Sequence, residues 1–250
     1  MTEPTGLPLP PHGKQYRYLD FVMVGFVTVL LCSNLIGPGK LCEIKLPFSL
    51  PFLGSSILFG AGNIFFPIGY IFGDILTEVY GYARARKVIW AGFGAMLFAT
   101  VMTLVVIRLP GFQGDPGNIA YQDHVRGAFS STWRVALASI TAYWVGDFVN
   151  SYVLAKMKII TKGRFLWTRT IGSTIVGQGC DSVIFYPLAF YGDWETGLTK
   201  AVIFNWVFKV TVEIAFTPLT YLIVGALKRA EREDYYDVDT NFTPFSIEDK

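Results

Sequence analysis

The sequence predicts an all-α integral membrane protein of about six transmembrane helices, and three observations predict it. Hydrophobic residues make up 52% of the 250 positions and charged residues only 16%, against about 25% charged in an ordinary soluble domain. Mean hydropathy is high, at +0.42. The apolar residues gather into runs close to the ~20 residues that a helix needs to cross a ~30 Å hydrocarbon layer.

The amino-terminal residues 1–18 are polar and proline-rich. They lack the basic start and immediate apolar core of a signal peptide, so the first run, residues 19–36, is read as a retained helix. Gly37-Pro38-Gly39 stops it. Residues 41–55 contain Pro47, Pro51 and Gly54 and read as a constrained loop on the membrane surface. The second run is 56–79, and the third is 88–109 with Arg108 at its edge. In the outer segment 110–134, Asn118 is expected to cap a short surface helix that includes Tyr121 and Phe129. Runs at 135–155, 170–191 and 201–227 complete the set. Backbone amides in hydrocarbon need internal partners, so runs of this length are helices. They do not alternate apolar with polar residues, which argues against a β-barrel. The expected organisation is therefore a cytoplasmic segment at 1–18, one six-helix transporter domain at 19–228 and a mobile, acidic cytoplasmic tail at 229–250.

Orientation follows from lysine and arginine in short loops. Arg84, Arg86 and Lys87 lie between the second and third runs. Lys156, Lys158, Lys162, Arg164 and Arg169 lie between the fourth and fifth, with no acidic residue among them. Lys228, Arg229 and Arg232 follow the sixth run, and Lys14 and Arg17 precede the first. Six spans put all of these on one side, so both termini are expected in the cytoplasm, with the chain in the inner (cytoplasmic) membrane and lipid around it.

Composition also excludes functions. A net charge of +2, without a basic stripe interleaved with stacking aromatics, argues against nucleic-acid binding. Cys32, Cys42 and Cys180 form neither a CxxC motif nor an even disulfide framework. His12 and His124 lie outside the apolar runs, so neither a zinc site nor a histidine relay is expected. No HExxH, GxSxG or Walker-type loop is present. The expectation is no enzyme, no metal and no cofactor.

Polar residues inside the runs carry the functional reading, because an ionisable group in a membrane span is costly and faces a partner or a wet cavity. The second run holds Asp74 and Glu78, four apart on one face. The fourth holds Trp144, Asp147, Asn150 and Ser151. In the fifth, Ser173, Thr174, Gln178, Asp181 and Ser182 form a polar stripe, and the sixth holds Asn205, Lys209 and Glu213. Asn34 adds an amide from the first. Structural roles compete with functional ones: Glu78 could pair with Arg84 or Arg86, Lys209 with Glu213 along one helix, and Ser173 and Thr174 could join helices. These groups cannot all neutralise one another, so a hydrated cavity lined by the second, fourth, fifth and sixth helices is expected. Glycine and proline enrich the middle span of each three-helix half (Gly69, Gly73 and Pro67; Gly172, Gly177 and Pro187). Two inverted halves would place a binding site at such interrupted helices.

Several motifs together resemble a known family. They are Phe66-Pro67 with Asp74-Ile75-Leu76-Thr77-Glu78-Val79-Tyr80-Gly81, Ala138-Ser139 with Ala142-Tyr143, and Leu166-Trp167-Thr168-Arg169. Ser173-Thr174 with Gln178, Asp181-Ser182 and Phe185, and Thr217-Pro218-Leu219-Thr220-Tyr221, complete them. In order and spacing, over about residues 19–228, the chain resembles the queuosine precursor transporters (the YhhQ or VUT family). It departs at Trp144 and Gly146, where a glutamine-like position is expected, and in a longer 40–55 loop. The resemblance implies uptake of 7-deazaguanine bases (7-cyano- or 7-aminomethyl-7-deazaguanine, or queuine) for salvage into modified tRNA. It also implies a distant likeness to the six-helix substrate-binding subunits of energy-coupling-factor transporters. A binding subunit of that kind is the alternative reading, with an intramembrane enzyme behind it. The sequence allows a homodimer without deriving one.

The residues suit such a ligand. Its N1–H and 2-amino group are adjacent donors that one carboxylate accepts, its O6 is an acceptor, and its flat ring wants an aromatic slot. Asp181, with Glu213 or Glu78, is expected to hold the donor edge, and Gln178, Asn150 or Lys209 the O6. Phe66, Trp144, Phe148 and Phe185 supply ring contacts. Asp74 and Asp147 are candidates for a second carboxylate or a coupling proton. Asn34, Arg169, Ser173 and Thr174 are expected to support the site.

Overall fold

A polar centre enclosed by long helices is what the computed structural model contains; it describes residues 15–36, 41–50, 54–129, 133–189 and 198–246. The amino-terminal residues 1–14, the expected stop at Gly37-Pro38-Gly39, Pro51, and residues 130–132, 190–197 and 247–250 lie outside the described residues.

Helix α1 (Leu19–Leu35) matches the first run. No side chain of its own caps it; instead the backbone N–H groups of Arg17 and Tyr18 donate to the Glu231 carboxylate at 3.0 and 2.7 Å. Strands β1 (Leu41–Leu50) and β2 (Gly54–Gly60) follow as an antiparallel pair. This corrects the sequence reading, which made 41–55 a loop and began the second helix at Ser56. Glu43, Lys45 and Pro47 are exposed at alternate positions of β1, the period of a strand. Pro47 within β1, and Pro51 and Gly54 after it in the sequence, masked that alternation. A 3-10 turn (Ala61–Phe65) leads into α2 (Phe66–Tyr80). Pro67 occupies the first turn of α2, where its missing N–H is no loss. Helix α2 alone is about 22 Å long, and the 3-10 turn extends it.

Gly81 makes the corner into α3 (Tyr82–Arg108) at φ 87°. A side chain there would be strained in backbone and would collide with the Tyr235 ring. Helix α4 (Pro116–Phe129) is the expected short outer helix, but its cap is Asp115. That carboxylate accepts from the backbone N–H groups of Gly117 and Asn118 at 3.3 and 2.9 Å. Pro116 fixes the first helical position and so moves the cap to the residue before it. The last three helices are α5 (Trp133–Ile160), α6 (Leu166–Ala189) and α7 (Leu198–Glu231).

Large apolar side chains lie on the outside while charged ones are buried among the helices. Leu97, Phe98, Val101, Met102, Val105 and Val106 of α3 are exposed, as are Ile203, Val207, Ile214 and Leu222 of α7, while Asp74, Glu78, Arg169 and Glu213 are buried. That is the pattern of a protein whose solvent is lipid. Lipid removes most of the hydrophobic drive for helices to associate, leaving close backbone approach and interhelical hydrogen bonds. Helices α5 and α6 use the first. A Cβ on Gly177 would lie 2.7 Å from Asn150 Cβ and 2.9 Å from the Gly146 carbonyl, and one on Gly146 would lie 3.0 Å from Asp181 Cβ. Ala142–Gly146 and Ser173–Gly177 are small residues four apart on the facing sides.

Residues 232–246, part of the segment expected to be mobile, run over the ends of α2, α3 and α5. Asp237 accepts from the Tyr82 backbone N–H at 3.0 Å, and Arg86 donates to the Asn241 and Thr243 carbonyls at 2.6 and 2.8 Å. Trp90 donates to the Pro244 carbonyl at 2.8 Å, and the Phe245 ring leans on Trp90 and Trp144. Tyr16 donates to Glu233, so the first and last described segments meet at one end of the bundle.

Candidate functional site

The close crossing of α5 and α6 determines the site. It sets Asp147 and Asn150 of α5 beside Gln178 and Asp181 of α6 along the wall of a cavity of about 610 Å³. Asn34 reaches this wall from α1, Phe66 and Tyr70 from α2, Tyr143 from α5, Phe185 and Tyr186 from α6, and Asn205 and Lys209 from α7. A volume in this range holds a small molecule, and a mostly apolar wall with a few convergent polar groups is the usual form of such a site.

Lys209 and Asp181 form the central contact. The ammonium of Lys209 donates to Asp181 Oδ2 and sits 4.7 Å from the centre of the Phe66 ring. The sequence offered Lys209 a partner on its own helix, Glu213; the fold gives it a carboxylate on α6 instead. Charge, hydrogen bond and aromatic face thus meet at one cavity position. Nearby, Ser139 donates to the Asn34 side-chain carbonyl at 2.8 Å, tying α1 to α5. Asn150 Oδ1 and the hydroxyl of Tyr70 are buried without a hydrogen-bond partner among the described residues, while the Tyr143 hydroxyl lies within reach of the Asp147 carboxylate. Buried polar atoms are normally paired, so Asn150 and Tyr70 aim free hydrogen-bonding capacity at the cavity.

Eight of the sequence-derived site residues therefore line one cavity: Asn34, Phe66, Asp147, Asn150, Gln178, Asp181, Phe185 and Lys209. Others lie elsewhere. Trp144 packs against Trp90 and Phe148, at ring distances of 5.5 and 5.1 Å, on the side toward α3 and the tail. Ser173 bonds back to the Thr170 carbonyl, and both it and Thr174 are buried against neighbouring helices. Asp74 and Glu213, both 1% exposed, meet between α2 and α7.

Glu78 lies at the end of the bundle that holds the tail, fully buried among cations. Arg169 donates to it through Nε and Nη2, both at 2.7 Å, and Lys228 donates as well. Lys158 lies 3.5 Å from the same carboxylate and gives its own hydrogen bonds to the Glu78 carbonyl, Asp234 and the Tyr235 carbonyl, each at 2.7 Å. The expected partners Arg84 and Arg86 turn to backbone carbonyls instead. Arg169 thus supports the fold at that end and does not reach the cavity wall.

Sequence reasoning missed Tyr70 and Tyr143. Both were visible as tyrosines within apolar runs, with Tyr70 four residues before Asp74 and Tyr143 four before Asp147, a spacing that shares one helix face.

Known proteins resemble this chain over most of its length. The family described as "Putative vitamin uptake transporter" matches residues 60–223. A Bacillus subtilis (strain 168) protein named "Probable queuosine precursor transporter" is 30% identical over 214 residues, covering 85% of this chain and 86% of that protein. The "Queuosine precursor transporter" of Escherichia coli (strain K12) is 22% identical over 207 residues, 81% of this chain and 84% of its own. No solved structure matches the chain.

Proposed function

Because the chain belongs to the queuosine precursor transporter family, a family of membrane transporters and not of enzymes, we propose that its cavity binds and carries 7-deazaguanine bases for salvage into modified tRNA. The Asp181–Lys209 pair in the cavity wall is the observation that supports this best. A deazaguanine presents two adjacent donors, N1–H and the 2-amino group, beside an acceptor, O6. Entering the cavity, it exchanges one ion pair for two charge-assisted contacts: Asp181 accepts the donor edge and Lys209 donates to O6. Asn150 and Gln178 complete the polar edge, and Phe66 and Phe185 take the ring faces. Asp147 is the second carboxylate that a cationic aminomethyl group wants. A site that pairs every edge rejects analogues lacking one of them.

In this reading α1, α2, α3, α5, α6 and α7 span the inner (cytoplasmic) membrane six times. The apolar exterior faces lipid. The Arg86, Lys158, Arg169 and Lys228 end, where both described termini meet, faces the cytoplasm, in keeping with positive loops on that side. Helices α1–α3 and α5–α7 form two inverted halves, with α2 and α6 as their middle spans. Transport is coupled to an ion.

The test is calorimetric titration of purified protein with 7-aminomethyl-7-deazaguanine, with guanine and biotin as controls. Micromolar binding of the deazaguanine, much weaker binding of the controls and loss in Asp181→Ala is the expected outcome. Equal binding of biotin, or an Asp181→Ala variant of unchanged affinity, refutes the assignment.

A further inference from the structure

Asp74 and Glu213 meet between α2 and α7, each 1% exposed and within hydrogen-bonding reach of the other. Neither Asp74 Oδ2 nor Glu213 Oε1 has a donor among the described residues. Two carboxylates without a donor cannot bond to each other, and their like charges repel in a medium of low dielectric. One proton placed between them turns one group into donor and the other into acceptor and removes the repulsion. The orphaned oxygens therefore point to a ligand, and its chemistry is that of a proton.

The location gives that proton a use. Tyr70, Asp74 and Glu78 follow at intervals of four on one face of α2. The Tyr70 hydroxyl is buried, unpartnered, on the cavity wall, and close enough to Asp147, Asp181 and Glu213 to feel all three charges. At the other end Glu78 is bound by Arg169, Lys158 and Lys228. The groups facing the pair are thus Glu78 of α2 and Arg169 of α6 on one side, and Tyr70 on the other.

We propose that Asp74 and Glu213 form a shared proton-binding site between α2 and α7, reached from the cavity through the Tyr70 hydroxyl, and that its proton drives uptake. This rests on the transporter reading and deepens it. With the proton bound, α2 and α7 are joined by a hydrogen bond; with it lost to the cytoplasmic side, the carboxylates repel and the helices part. The proton enters from the cavity, bridges the two carboxyls and leaves toward the Glu78 cluster, with substrate carried in the same cycle.

The experiment has two parts, and the first needs no substrate. Infrared spectroscopy of protein in lipid bilayers, in light and heavy water at neutral pH, detects the carbonyl stretch of a protonated carboxyl group. A band is expected in the wild type, lost in both Asp74→Asn and Glu213→Gln and kept in Asp147→Asn. Absence of the band from the wild type, or its survival in both single variants, overturns the site. In the second part, protein in liposomes carrying a trapped pH dye is given 7-aminomethyl-7-deazaguanine. Proton entry should accompany uptake, and a gradient of one pH unit should give about tenfold accumulation at one proton per base. Glu213→Gln should retain exchange and lose accumulation, while Tyr70→Phe should slow proton entry and keep the band. Accumulation unchanged in Glu213→Gln, or driven by sodium alone, overturns the coupling. Binding and transport of no deazaguanine would refute the substrate reading, with the infrared band still deciding the site.

Discussion

Replacing Gly177 by alanine puts one methyl group where the structure has least room for it. The new carbon would sit 2.7 Å from Asn150 Cβ, 2.9 Å from the Gly146 carbonyl and 3.1 Å from Asn150 Cα. Backbone atoms cannot swing aside, so contact at the usual 3.5–4.0 Å requires α5 and α6 to separate by about 1 Å. Overpacking of this kind costs about 1–3 kcal/mol. The larger effect is on function, because the same crossing sets Asp147 and Asn150 against Gln178 and Asp181. Losing one hydrogen bond to a charged group costs about 1.5–3 kcal/mol, so affinity for the deazaguanine should fall roughly 10- to 150-fold. Calorimetric titration measures it, with thermal unfolding in detergent alongside. Gly94→Ala is the control, because a Cβ on Gly94 meets nothing within 4 Å. A Gly177→Ala protein with the affinity and stability of the control would refute the argument that helix approach builds the site.

Other predictions concern the charged end of the bundle. Glu78→Gln leaves Arg169 buried without its carboxylate, while Lys158 keeps only that of Asp234, and uncompensated burial of this kind costs about 3–5 kcal/mol. A large loss of thermal stability is expected, and an unchanged unfolding temperature counts against the cluster's role. For Asp234, burial disfavours the charged form, but hydrogen bonds from Lys158 and Lys228 outweigh it and hold the carboxyl below its ordinary value. The contact that Asp234 makes is therefore complete above about pH 4 and is lost as pH falls through the lowered value. Hydrogen exchange at the amides next to Asp234 should rise only in that acidic range; a rise there near neutrality would be the contrary result.

Much of this was legible in the sequence because lipid imposes a simple rule. Long apolar runs must be helices, and the six runs correspond to α1, α2, α3, α5, α6 and α7. Asn34, Asp147, Asn150, Gln178, Asp181 and Lys209 converge on one cavity because a costly group in a span has few places to go. Which group pairs with which was not legible. Helical spacing joins Lys209 to Glu213, whereas the α6–α7 contact joins it to Asp181. Spacing likewise puts Glu78 near Arg84 and Arg86, while three cations from α5, α6 and α7 surround it. Trp144 carries the right chemistry for a ring slot on a face that turns away from the cavity. The hairpin was hidden by proline, and the tail by its acidity: the carboxylates of Glu233, Asp234 and Asp237 find donors in the bundle, and other contacts run through backbone carbonyls that any residue possesses.

The Glu231 carboxylate that receives the two amides ahead of α1 gives the chain a temporal property. It is made 213 residues after Tyr18, an interval of roughly 10–40 s at ordinary synthesis rates. Through that time the first helix to enter the bilayer has an open amino end, and the final turn of the last helix closes it. A copy that stops short of residue 231 never does. Unfinished copies therefore differ from finished ones at their very beginning, where a protease or chaperone can tell them apart.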